Sequence, residues 1–387
     1  MRLLAVTYGL PYPLTEGAKI RDYHLLRELA RHSEVHLLCF SKDDPAGADP
    51  RPLEAFCASV EIYRVPNRLE WFAHLRSGRP LAVLPCSYAA FSDRIAELAR
   101  QHQVDVVQIE HSFLAGYVTA VPEGPLRVLS LHNIGETQYA SLALLPGAGV
   151  VDKLKAWAMR DWEATWAARF DYCIAVSEPD AAWLRARASS LNVTVIPNGV
   201  DCASYQPLPE NVASQTVLFV GTLGYPPNAD AVTWFAGEIL PRIRLRCPSA
   251  KLRVVGCHAP DSVRALAAAG QLDLVSDAAD LRPHYADAAL CVVPLRAGGG
   301  TRLKILEAMA FGRAVISSPI GCEGLATEFL TFAADAPAFA AACIDSLESP
   351  ERREALTQPA RRHVERHHDW SYLATQLAEV HRLGGGR

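Results

Sequence analysis

Residues 289–325, ALCVVPLRAGGGTRLKILEAMAFGRAVISSPIGCEGL, predict a strand, a glycine loop, a helix and a second strand in succession. The opening apolar run is short and rich in β-branched residues, which is typical of a buried parallel strand. Gly298, Gly299 and Gly300 follow it, and a helix is predicted to begin near Thr301. Glycines let a backbone approach a ligand closely, and the free N–H groups of a helix N-terminus attract anions. The stretch therefore predicts a site for a diphosphate.

Charged side chains on the predicted helix extend this site. Arg302 and Lys304 add full positive charge next to the glycines. Glu307 lies about two turns into the same helix, where a carboxylate is better suited to accept hydrogen bonds from a sugar diol than to contact phosphate. Ribose acceptors beside phosphate donors indicate a nucleotide.

The same block resembles the donor-site signature of the retaining glycosyltransferases of family 4, which have the GT-B fold. Further segments are similar to that family in chain order: VTYGLPYPLTEGAKIRDYHLLRELAR, VVQIEHSFLAGY, LSLHN, AVSEPD, VIPNGVD, FVGTLGYPPNADAVTWF and VVG. The resemblance covers almost the whole chain. It implies an α/β protein of two doubly wound, Rossmann-like domains facing a central cleft, which moves a sugar from a nucleotide diphosphate sugar to an acceptor hydroxyl with retention.

The chain departs from the family pattern at two places. The family usually carries two glutamates separated by seven residues, and here Gly299 stands where the first would be, eight positions before Glu307. This glycine-rich variant resembles a subgroup often linked to bacterial polysaccharide and surface-glycan assembly. Relatives also often have a basic pair shortly after the glycine that corresponds to Gly221, whereas this chain has no Lys or Arg between Gly221 and Arg242. The resemblance therefore leaves Arg302 and the lysine beside it to meet the phosphate charge.

Composition excludes several classes of function. A length of 387 residues with 50% hydrophobic residues is enough for two full cores, and a net charge of −4 argues against nucleic acid as a partner. The ten cysteines show no metal-ligand spacing and are predicted to be reduced, buried thiols of a cytosolic protein. No DxD-type cluster lies near the predicted site, so we expect no cofactor and no metal requirement, with the nucleotide sugar as co-substrate.

Membrane association is expected to be peripheral at most. No apolar run approaches the length of about 18 residues that a spanning helix needs, and the opening run is short for a signal peptide. A cytoplasmic protein, in contact with the inner membrane face or free of it, fits both observations. The basic cluster near the end of the chain is interrupted by glutamates and is interpreted as a solvated helix face, with a membrane patch as the alternative. Its members are Arg352, Arg353, Arg361, Arg362 and Arg366.

Short β-rich runs alternate with helical patterns along the whole chain, which predicts two parallel sheets covered by helices. In the first half the predicted strands are 3–8, 35–40, 59–65, 104–109, 127–131 and 172–176. In the second half they are 217–220, 251–255, 272–275, 289–295 and 314–317. A proline-containing, apolar-poor stretch at 202–215 predicts a linker, which divides an acceptor-side domain (1–199) from a donor-binding domain (200–369). In similar proteins the last helix returns to the first domain, and residues 370–387 are assigned there.

Polar residues follow two predicted strands of the first domain. Glu110 and His111 come after one, and His132 and Asn133 after another. Burying them unpaired would cost about 1–3 kcal/mol each, so we expect them to face the cleft. By resemblance, His132 is the histidine near the donor phosphates and the acceptor, and the other three lie on the acceptor side. The alternative is a structural histidine.

The loop after the first strand is predicted to approach the donor diphosphate, because the family uses it so. Gly17 would bring backbone N–H groups near the phosphates, with Lys19 and Arg21 close by. A βα turn that only packs is the alternative. In PIGCEGL, Glu323 is either a sugar or acceptor contact or a carboxylate in solvent.

Four further residues have structural interpretations. Gly199 in VIPNGVD is predicted to take positive φ in a tight turn, and Asp201 to cap local backbone. Asn228 and Asp230 are interpreted as helix caps in preference to ligands.

Three functions remain open from the sequence. A glycosyltransferase acting on a glycan, a lipid-linked or a small-molecule acceptor is favoured, and its hexosyl donor is predicted to be a uronic acid or an N-acetylated sugar because glycine replaces the first glutamate. A nucleotide-sugar epimerase of GT-B fold would need an additional acid/base carboxylate pair. A non-catalytic glycosyltransferase-like subunit would explain the missing glutamate.

Overall fold

A computed structural model describes residues 1–41, 49–64, 83, 88–146, 149–188, 190–300, 302–326 and 328–384. The chain forms two compact units. The first unit comprises Met1–Ala143, Gly149–Pro197 and Trp370–Arg387, and the second comprises Leu144–Ala148 and Asn198–Asp369.

The first unit is built on a sheet of parallel strands, ordered β3-β2-β1-β4-β5-β6-β7 in the part of the chain described. The strands are β1 (Arg2–Tyr8), β2 (Glu34–Ser41), β3 (Ser59–Arg64), β4 (Val106–Glu110), β5 (Leu126–Ser130), β6 (Tyr172–Ala175) and β7 (Asn192–Val195). The helices are α1 (Gly17–Leu29), α2 (Arg51–Glu54), α3 (Ala89–Gln101), a 3₁₀ segment (Ser112–Ala120), α4 (Gly135–Leu142), α5 (Val150–Ala167) and α6 (Glu178–Arg187). Central strands such as β4 are buried along their whole length, as expected where helices cover both faces.

The second unit repeats the same architecture. Its parallel sheet has the order β10-β9-β8-β11-β12-β13 among the described residues. The strands are β8 (Thr216–Val220), β9 (Lys251–Gly256), β10 (Asp273–Ser276), β11 (Ala288–Val293), β12 (Ala314–Ser317) and β13 (Thr331–Phe332). The helices are α7 (Pro226–Trp234), a π segment (Phe235–Ile239), α8 (Leu240–Arg244), α9 (Asp261–Ala268), α10 (Arg282–Asp287), α11 (Leu303–Ala310), a 3₁₀ segment (Ile320–Cys322), α12 (Ala336–Glu348) and α13 (Pro350–His367).

The predicted pair of doubly wound domains is confirmed. In each sheet the order reverses beside the first strand of the unit, between β1 and β4 and between β8 and β11. Open α/β sheets bind ligands outside the carboxyl ends of their strands at such a reversal. The predicted site residues that follow β4, β8 and β11 therefore lie where this fold places ligands.

The C-terminal helix, α14 (Trp370–Gly384), belongs to the first unit. Its apolar positions recur at helical spacing and are buried. They are Trp370, Leu373, Ala374, Leu377 and Val380. The ring of Trp370 stacks on His24 of α1 with 5.6 Å between the centroids and 4° between the planes. An amphipathic stripe thus attaches the end of the chain to α1.

The segment after β7 differs from the tight turn predicted there. Gly199 does not have positive φ. The carbonyl of Asn198 accepts a hydrogen bond from Nδ1 of His368, and the amide of Val200 donates to the carbonyl of His368. Because the backbone at 198–200 pairs with the distant residue His368, it is held in an extended path and does not form a tight turn. The prediction for Asp201 is confirmed, since its Oδ1 accepts from the amide of Ser204.

Two arginines of the basic cluster are not on a solvated face. Arg353 is 2% exposed and donates to Glu210, and Arg361 is 7% exposed and donates to the carbonyls of Ala310 and Cys202. Ala310 is the last residue of α11, where unpaired carbonyls attract a cation. The prediction was wrong for these two because α13 turns them inward, where Arg353 also donates to the buried carbonyl of Ser346 and Arg361 to that of Ala310.

The nine cysteines that the structure describes are free thiols, and eight of them are buried. None of the described helices combines the length and the apolar character that a membrane crossing requires.

Candidate functional site

The glycine loop, which we define as Gly298, Gly299 and Gly300, follows β11 directly. Gly298 has φ +124° and Gly300 has φ +77°, backbone conformations that side chains rarely tolerate. A Cβ at Gly298 would lie 2.8 Å from Nη2 of Arg302. The backbone conformation therefore favours glycine, and a Cβ here would also displace the guanidinium beside it. The predicted Thr301 lies outside the described residues.

The helix after this loop starts two residues later than predicted. Arg302 has an extended backbone, with φ −90° and ψ 101°, and α11 begins at Leu303. The guanidinium of Arg302 is buried and donates from Nη1 to the carbonyl of Gly299. Arg302 thus holds the glycine loop in shape as well as bringing charge to it.

Lys304 lies in the first turn of α11 with its amine near the carboxyl end of β8. Nζ donates to Oδ1 of Asn228 over 2.8 Å and lies 4.3 Å from the centre of the Phe219 ring. A Cβ at Gly221 would be 2.7 Å from this Nζ, so glycine at 221 makes room for the amine. Burial, and then the neighbouring charge of Arg302, lower the pKa of Lys304 to about 7.

Asn228 and Asp230 do not cap a helix, contrary to prediction. Tyr225 is the N-cap of α7, because prolines occupy the first two helical positions and start the helix earlier. Asn228 joins two elements by donating to the carbonyl of Thr222 while accepting from Lys304. Asp230 forms a two-pronged ion pair with Arg296 at 2.6 and 2.9 Å.

Glu307 lies one turn beyond Lys304 on the same side of α11. It is 9% exposed, and the hydroxyl of Tyr285 donates to its Oε2 over 3.4 Å. Burial raises the pKa of Glu307, while Tyr285 and Lys304 act in the opposite direction. Glu323, in contrast, is exposed after the 3₁₀ segment. The second unit therefore brings the glycine loop, Arg302, Lys304, Glu307 and Gly221 together.

The His132 cluster, which we define as Asp22, Glu110, His111 and His132, lies in the first unit at the carboxyl ends of β4 and β5. Nε2 of His132 is 2.9 Å from Oε2 of Glu110 and 3.2 Å from Oδ1 of Asp22. The rings of His111 and His132 are 3.8 Å apart. His111 has φ +70°, an uncommon backbone for histidine, which turns its side chain toward the cluster.

The positive charge of this cluster lies on the His132 ring. Burial opposes a charged ring, but Asp22 and Glu110 outweigh it and raise the pKa of His132 to about 9. Burial raises the pKa of Asp22 to about 6. Burial also opposes a charged Glu110, but the hydrogen bond and charge of His132, together with the hydrogen bonds from Ser130 and Gln108, outweigh it and lower the pKa of Glu110. Burial and the charge on His132 keep the pKa of His111 well below its usual value. At neutral pH His132 is an imidazolium between two carboxylates, and His111 is neutral.

Asp22, His111 and His132 also offer ligand atoms within 4.8 Å of one another, a spacing that a metal ion could use. A carboxylate and two imidazoles are the donor set that zinc prefers. However, a ligating His132 would have to lose the proton that its two carboxylates hold, and the guanidinium of Arg21 adds positive charge next to Asp22 and Glu110. A metal ion at this place would therefore have to compete with the proton on His132.

Arg21 does not present its charge to a phosphate as predicted. It is 1% exposed and donates from Nη1 to the carbonyl of Pro197 and from Nη2 to that of Ile196. These contacts attach α1 to the segment after β7. Gly17 is the exposed first residue of α1, and Lys19 is partly exposed nearby.

The backbone after His132 and the partly exposed Asn133 is held by Glu163, which sequence reasoning missed. The Glu163 carboxylate accepts from the amides of Gly135 at 2.7 Å and Glu136 at 3.2 Å, the first residues of α4. A carboxylate at a helix N-terminus satisfies amides that have no partner within the helix. The loop carrying His132 is therefore fixed at its far end.

Asp22 and Gln108 were also missed. Asp22 lies within the helical pattern RDYHLL and gave no sign of its partners, which come from other elements. Gln108 did carry a signal, since it is a polar residue inside the apolar strand VVQIE. Such a residue needs a buried partner, and Gln108 donates to Glu110.

Comparison with known proteins adds family models for both halves of the chain. The model described as Glycosyltransferase Family 4 matches residues 16–204, and the model described as Glycosyl transferases group 1 matches residues 214–349. A relative, described as an uncharacterized 44.6 kDa protein in the cps region of Klebsiella pneumoniae, is 29% identical over 136 residues. That match spans 32% of this chain and only 35% of the relative's length.

Solved structures of similar fold cover nearly the whole chain. Sucrose-phosphate synthase from Thermosynechococcus elongatus is 18% identical, with a TM-score of 0.75 and 99% of each chain covered. HepE from Anabaena in complex with UDP is 17% identical, with a TM-score of 0.68, covering 98% of this chain and 99% of that one. The UDP-forming α,α-trehalose-phosphate synthase from Burkholderia xenovorans, in complex with glucose-6-phosphate, is 14% identical, with a TM-score of 0.67 and 99% and 100% covered. These likenesses establish the fold, and with the two family models matching one after the other, the chain belongs to the glycosyltransferases of GT-B fold.

Proposed function

We propose that this protein transfers a sugar from a nucleoside diphosphate sugar to an acceptor hydroxyl with retention at the anomeric carbon. The observation that carries the proposal is the grouping of Arg302, Lys304 and Glu307 at the start of one short helix, directly after the glycine loop. Cationic groups and free amides suit a diphosphate, and the carboxylate suits a ribose diol. HepE from Anabaena binds UDP and UDP-glucose, and the trehalose-phosphate synthase from Burkholderia xenovorans is in complex with glucose-6-phosphate, which supports a nucleotide sugar donor and a sugar-type acceptor.

Catalysis in this proposal is mainly electrostatic. When the nucleoside diphosphate leaves, negative charge develops on its phosphate oxygens, and the amides at the start of α11 with Arg302 and Lys304 stabilise that charge. The charge is met by the protein, so the reaction is proposed to need no metal. Arg302 already donates to the carbonyl of Gly299, so its guanidinium is positioned before the donor arrives.

The first unit is proposed to handle the acceptor. His132, as an imidazolium, supplies a fixed positive charge, and Glu110, His111 and Asn133 surround it or follow it in the chain. Both described carboxylates of the cluster are engaged with His132. Because His132 already occupies both carboxylates, we favour front-face attack assisted by the leaving phosphate over a covalent intermediate.

The acceptor is proposed to be a growing glycan, a lipid-linked sugar or a small molecule in bacterial polysaccharide or glycoconjugate assembly. The similarity to a protein of the Klebsiella pneumoniae cps region supports this role. A cytoplasmic location, with peripheral contact to the inner membrane face where the acceptor is lipid-linked, belongs to the same proposal.

The donor sugar is proposed to carry an acceptor group such as a carboxylate or an N-acetyl carbonyl. Gly299 stands where relatives have a glutamate for a sugar hydroxyl, and the glycine loop offers backbone amides there instead. Replacing Gly299 by Glu would place a carboxylate acceptor where the glycine loop now offers amide donors. We expect G299E to lower kcat/KM for an acidic donor and to raise the ratio for a neutral hexose donor, and a wild-type preference for plain hexoses would contradict the donor proposal.

The central test incubates the purified protein with a panel of labelled nucleotide sugars, with and without glycan acceptors. A transferase shows at least slow donor hydrolysis and, with its acceptor, a product whose anomeric configuration by NMR matches the donor. Arg302→Ala is expected to reduce kcat more than nucleoside diphosphate affinity, because its contribution grows as phosphate charge develops. Conversion of the sugar without acceptor would indicate an epimerase, and complete inertness a non-catalytic subunit.

A further inference from the structure

A chain of buried polar groups runs from the C-terminal helix to His132. His381 on α14 is 1% exposed, and its Nε2 lies 2.7 Å from Oε1 of Gln108, which is also 1% exposed. Nε2 of Gln108 donates to Oε1 of Glu110, and Oε2 of Glu110 accepts from Nε2 of His132. Gln108 and Glu110 are two residues apart on β4, so their side chains leave the same face of the strand.

Hydrogen-bonding rules fix the direction of every link. A carboxylate only accepts, so Gln108 must turn its NH₂ group to Glu110 and its carbonyl oxygen to His381. His381 must then carry its proton on Nε2 in order to donate. Its Nδ1 has no hydrogen-bond partner and stays unprotonated in the buried site. A single tautomer of His381 therefore determines the orientation of Gln108.

We propose that His381 is a positioning residue, which through Gln108 fixes the Glu110 carboxylate that orients and charges His132. Its catalytic consequence rests on the proposed sugar transfer, but the coupling between His381 and His132 does not. Among the described residues of α14, His381 is the one that takes part in this series of hydrogen bonds. The C-terminal helix thus contributes to the chemistry of the first unit in addition to covering α1.

Loss of the His381 donor has a predictable sign. Gln108 is then free to turn its carboxamide over, and Glu110 loses a donor that stabilises its negative charge. The other charged or titratable groups facing His132 are Asp22 and Arg21 from α1 and His111 after β4, and they stay in place. Glu110 stays ionised because its pKa is low, and a carboxylate with one donor fewer is a stronger acceptor for His132, so the pKa of His132 must rise.

The test compares three single variants of the full chain by NMR titration of the His132 ring. His381→Phe keeps an aromatic ring but removes the donor, and we expect the pKa of His132 to rise by about one unit, the size of one hydrogen bond to a charged group. His381→Gln keeps a neutral N–H donor and should bring the pKa of His132 most of the way back to its wild-type value. Val380→Ala is the matched control, because Val380 is buried next to His381 but makes no polar contact in the chain. It should lower Tm and leave the pKa of His132 unchanged.

Activity gives the second readout. For H381F we expect kcat to fall by about 10- to 100-fold, as for other losses of alignment remote from the reacting atoms, with donor KM nearly constant. The basic limb of the kcat–pH profile should move to higher pH. If H381F does not fold, Gln108→Leu breaks the same chain at its next link and is measured in its place.

Two results would overturn the proposal: an unchanged pKa of His132 in H381F, or an equal shift in V380A. Failure of the sugar-transfer proposal is recognised separately, because the NMR titration needs no substrate. A shifted pKa without any transferase activity would keep the coupling and remove only its catalytic role.

Discussion

At the scale of single residues, Lys304 combines a full charge with a site that disfavours it. Its amine is held between Asn228 and the face of the Phe219 ring, and its pKa lies near 7. The ammonium form is therefore only partly populated at neutral pH in the free protein. A bound diphosphate supplies negative charge and favours the ammonium form, so donor binding and protonation of Lys304 should be linked.

We predict that the protein takes up about half a proton per nucleoside diphosphate bound at pH 7, because a group with a pKa near 7 is half protonated before binding and fully protonated after it. Calorimetry in buffers of different ionisation enthalpy measures this uptake. Lys304→Met should abolish the additional uptake, and the exposed Lys251→Met should retain it. Equal uptake by wild type and K304M would contradict the linkage.

A second prediction concerns Glu307, whose carboxylate is expected to meet the ribose. Glu307→Ala should weaken nucleoside diphosphate binding by about 1.5–3 kcal/mol, the size of a hydrogen bond to a charged group. Glu238→Ala, an exposed carboxylate of the same unit, serves as the control and should bind as wild type. Isothermal calorimetry with the product nucleotide measures both, and unchanged affinity in E307A would remove Glu307 from the ribose site.

The sequence predicted those site residues that lie close to one another along the chain. Lys304 and Glu307 lie one turn apart on α11, and Arg302 directly precedes that helix, so their proximity follows from local structure. Asp22 and His381 could not be found in this way, because they meet His132 and Gln108 only after α1 and α14 have packed on the sheet. Long-range packing leaves no local trace in a sequence.

At the scale of elements, the glycine loop and the start of α11 form one rigid turn. Positive φ at Gly298 and Gly300 turns the chain from β11 into α11, and Arg302 closes the turn by donating to the carbonyl of Gly299. The strand itself is fully buried, so the loop starts from a fixed point. This rigidity explains how three residues without side chains could orient a ligand.

We predict that Gly298→Ala disrupts this turn, while Gly299→Ala is tolerated by the backbone. Alanine at 298 combines an unfavourable φ, which costs about 1–3 kcal/mol, with a Cβ only 2.8 Å from Nη2 of Arg302. Gly299 does not have positive φ. Measured Tm and nucleoside diphosphate Kd should therefore worsen in G298A far more than in G299A. Similar values for the two variants would show that the loop conformation does not determine binding.

Strands and helices were predictable where the apolar periodicity was strong, and less predictable at the edges of the two sheets. The six strands predicted in the first half and the five predicted in the second were located to within two residues, whereas β7 and β13 were missed. Both are edge strands that are only partly buried, so their sequences lack a continuous apolar run. Asn228 and Asp230 were misassigned because the prolines before them had already started α7.

At the scale of the whole molecule, the chain is two units of the same strand order, and the first is completed by its last helix. Each unit has its own apolar core. The nucleotide-side residues lie in the second unit and the His132 cluster in the first. Removing α14 should therefore affect the two units very differently.

We predict that a chain ending at Asp369 keeps nucleoside diphosphate binding but loses a folded first unit. Four large apolar side chains of α14 are buried, at about 1.5–3 kcal/mol each, which is comparable to the whole stability of a typical domain of 5–15 kcal/mol. The second unit, Asn198–Asp369, contains the glycine loop, Lys304 and Glu307 and loses none of its own core. Limited proteolysis should cleave within residues 1–197 of the truncated chain, and calorimetry should give a Kd close to that of the full chain. Loss of nucleotide binding together with the first unit would show that the second unit does not hold the nucleotide by itself.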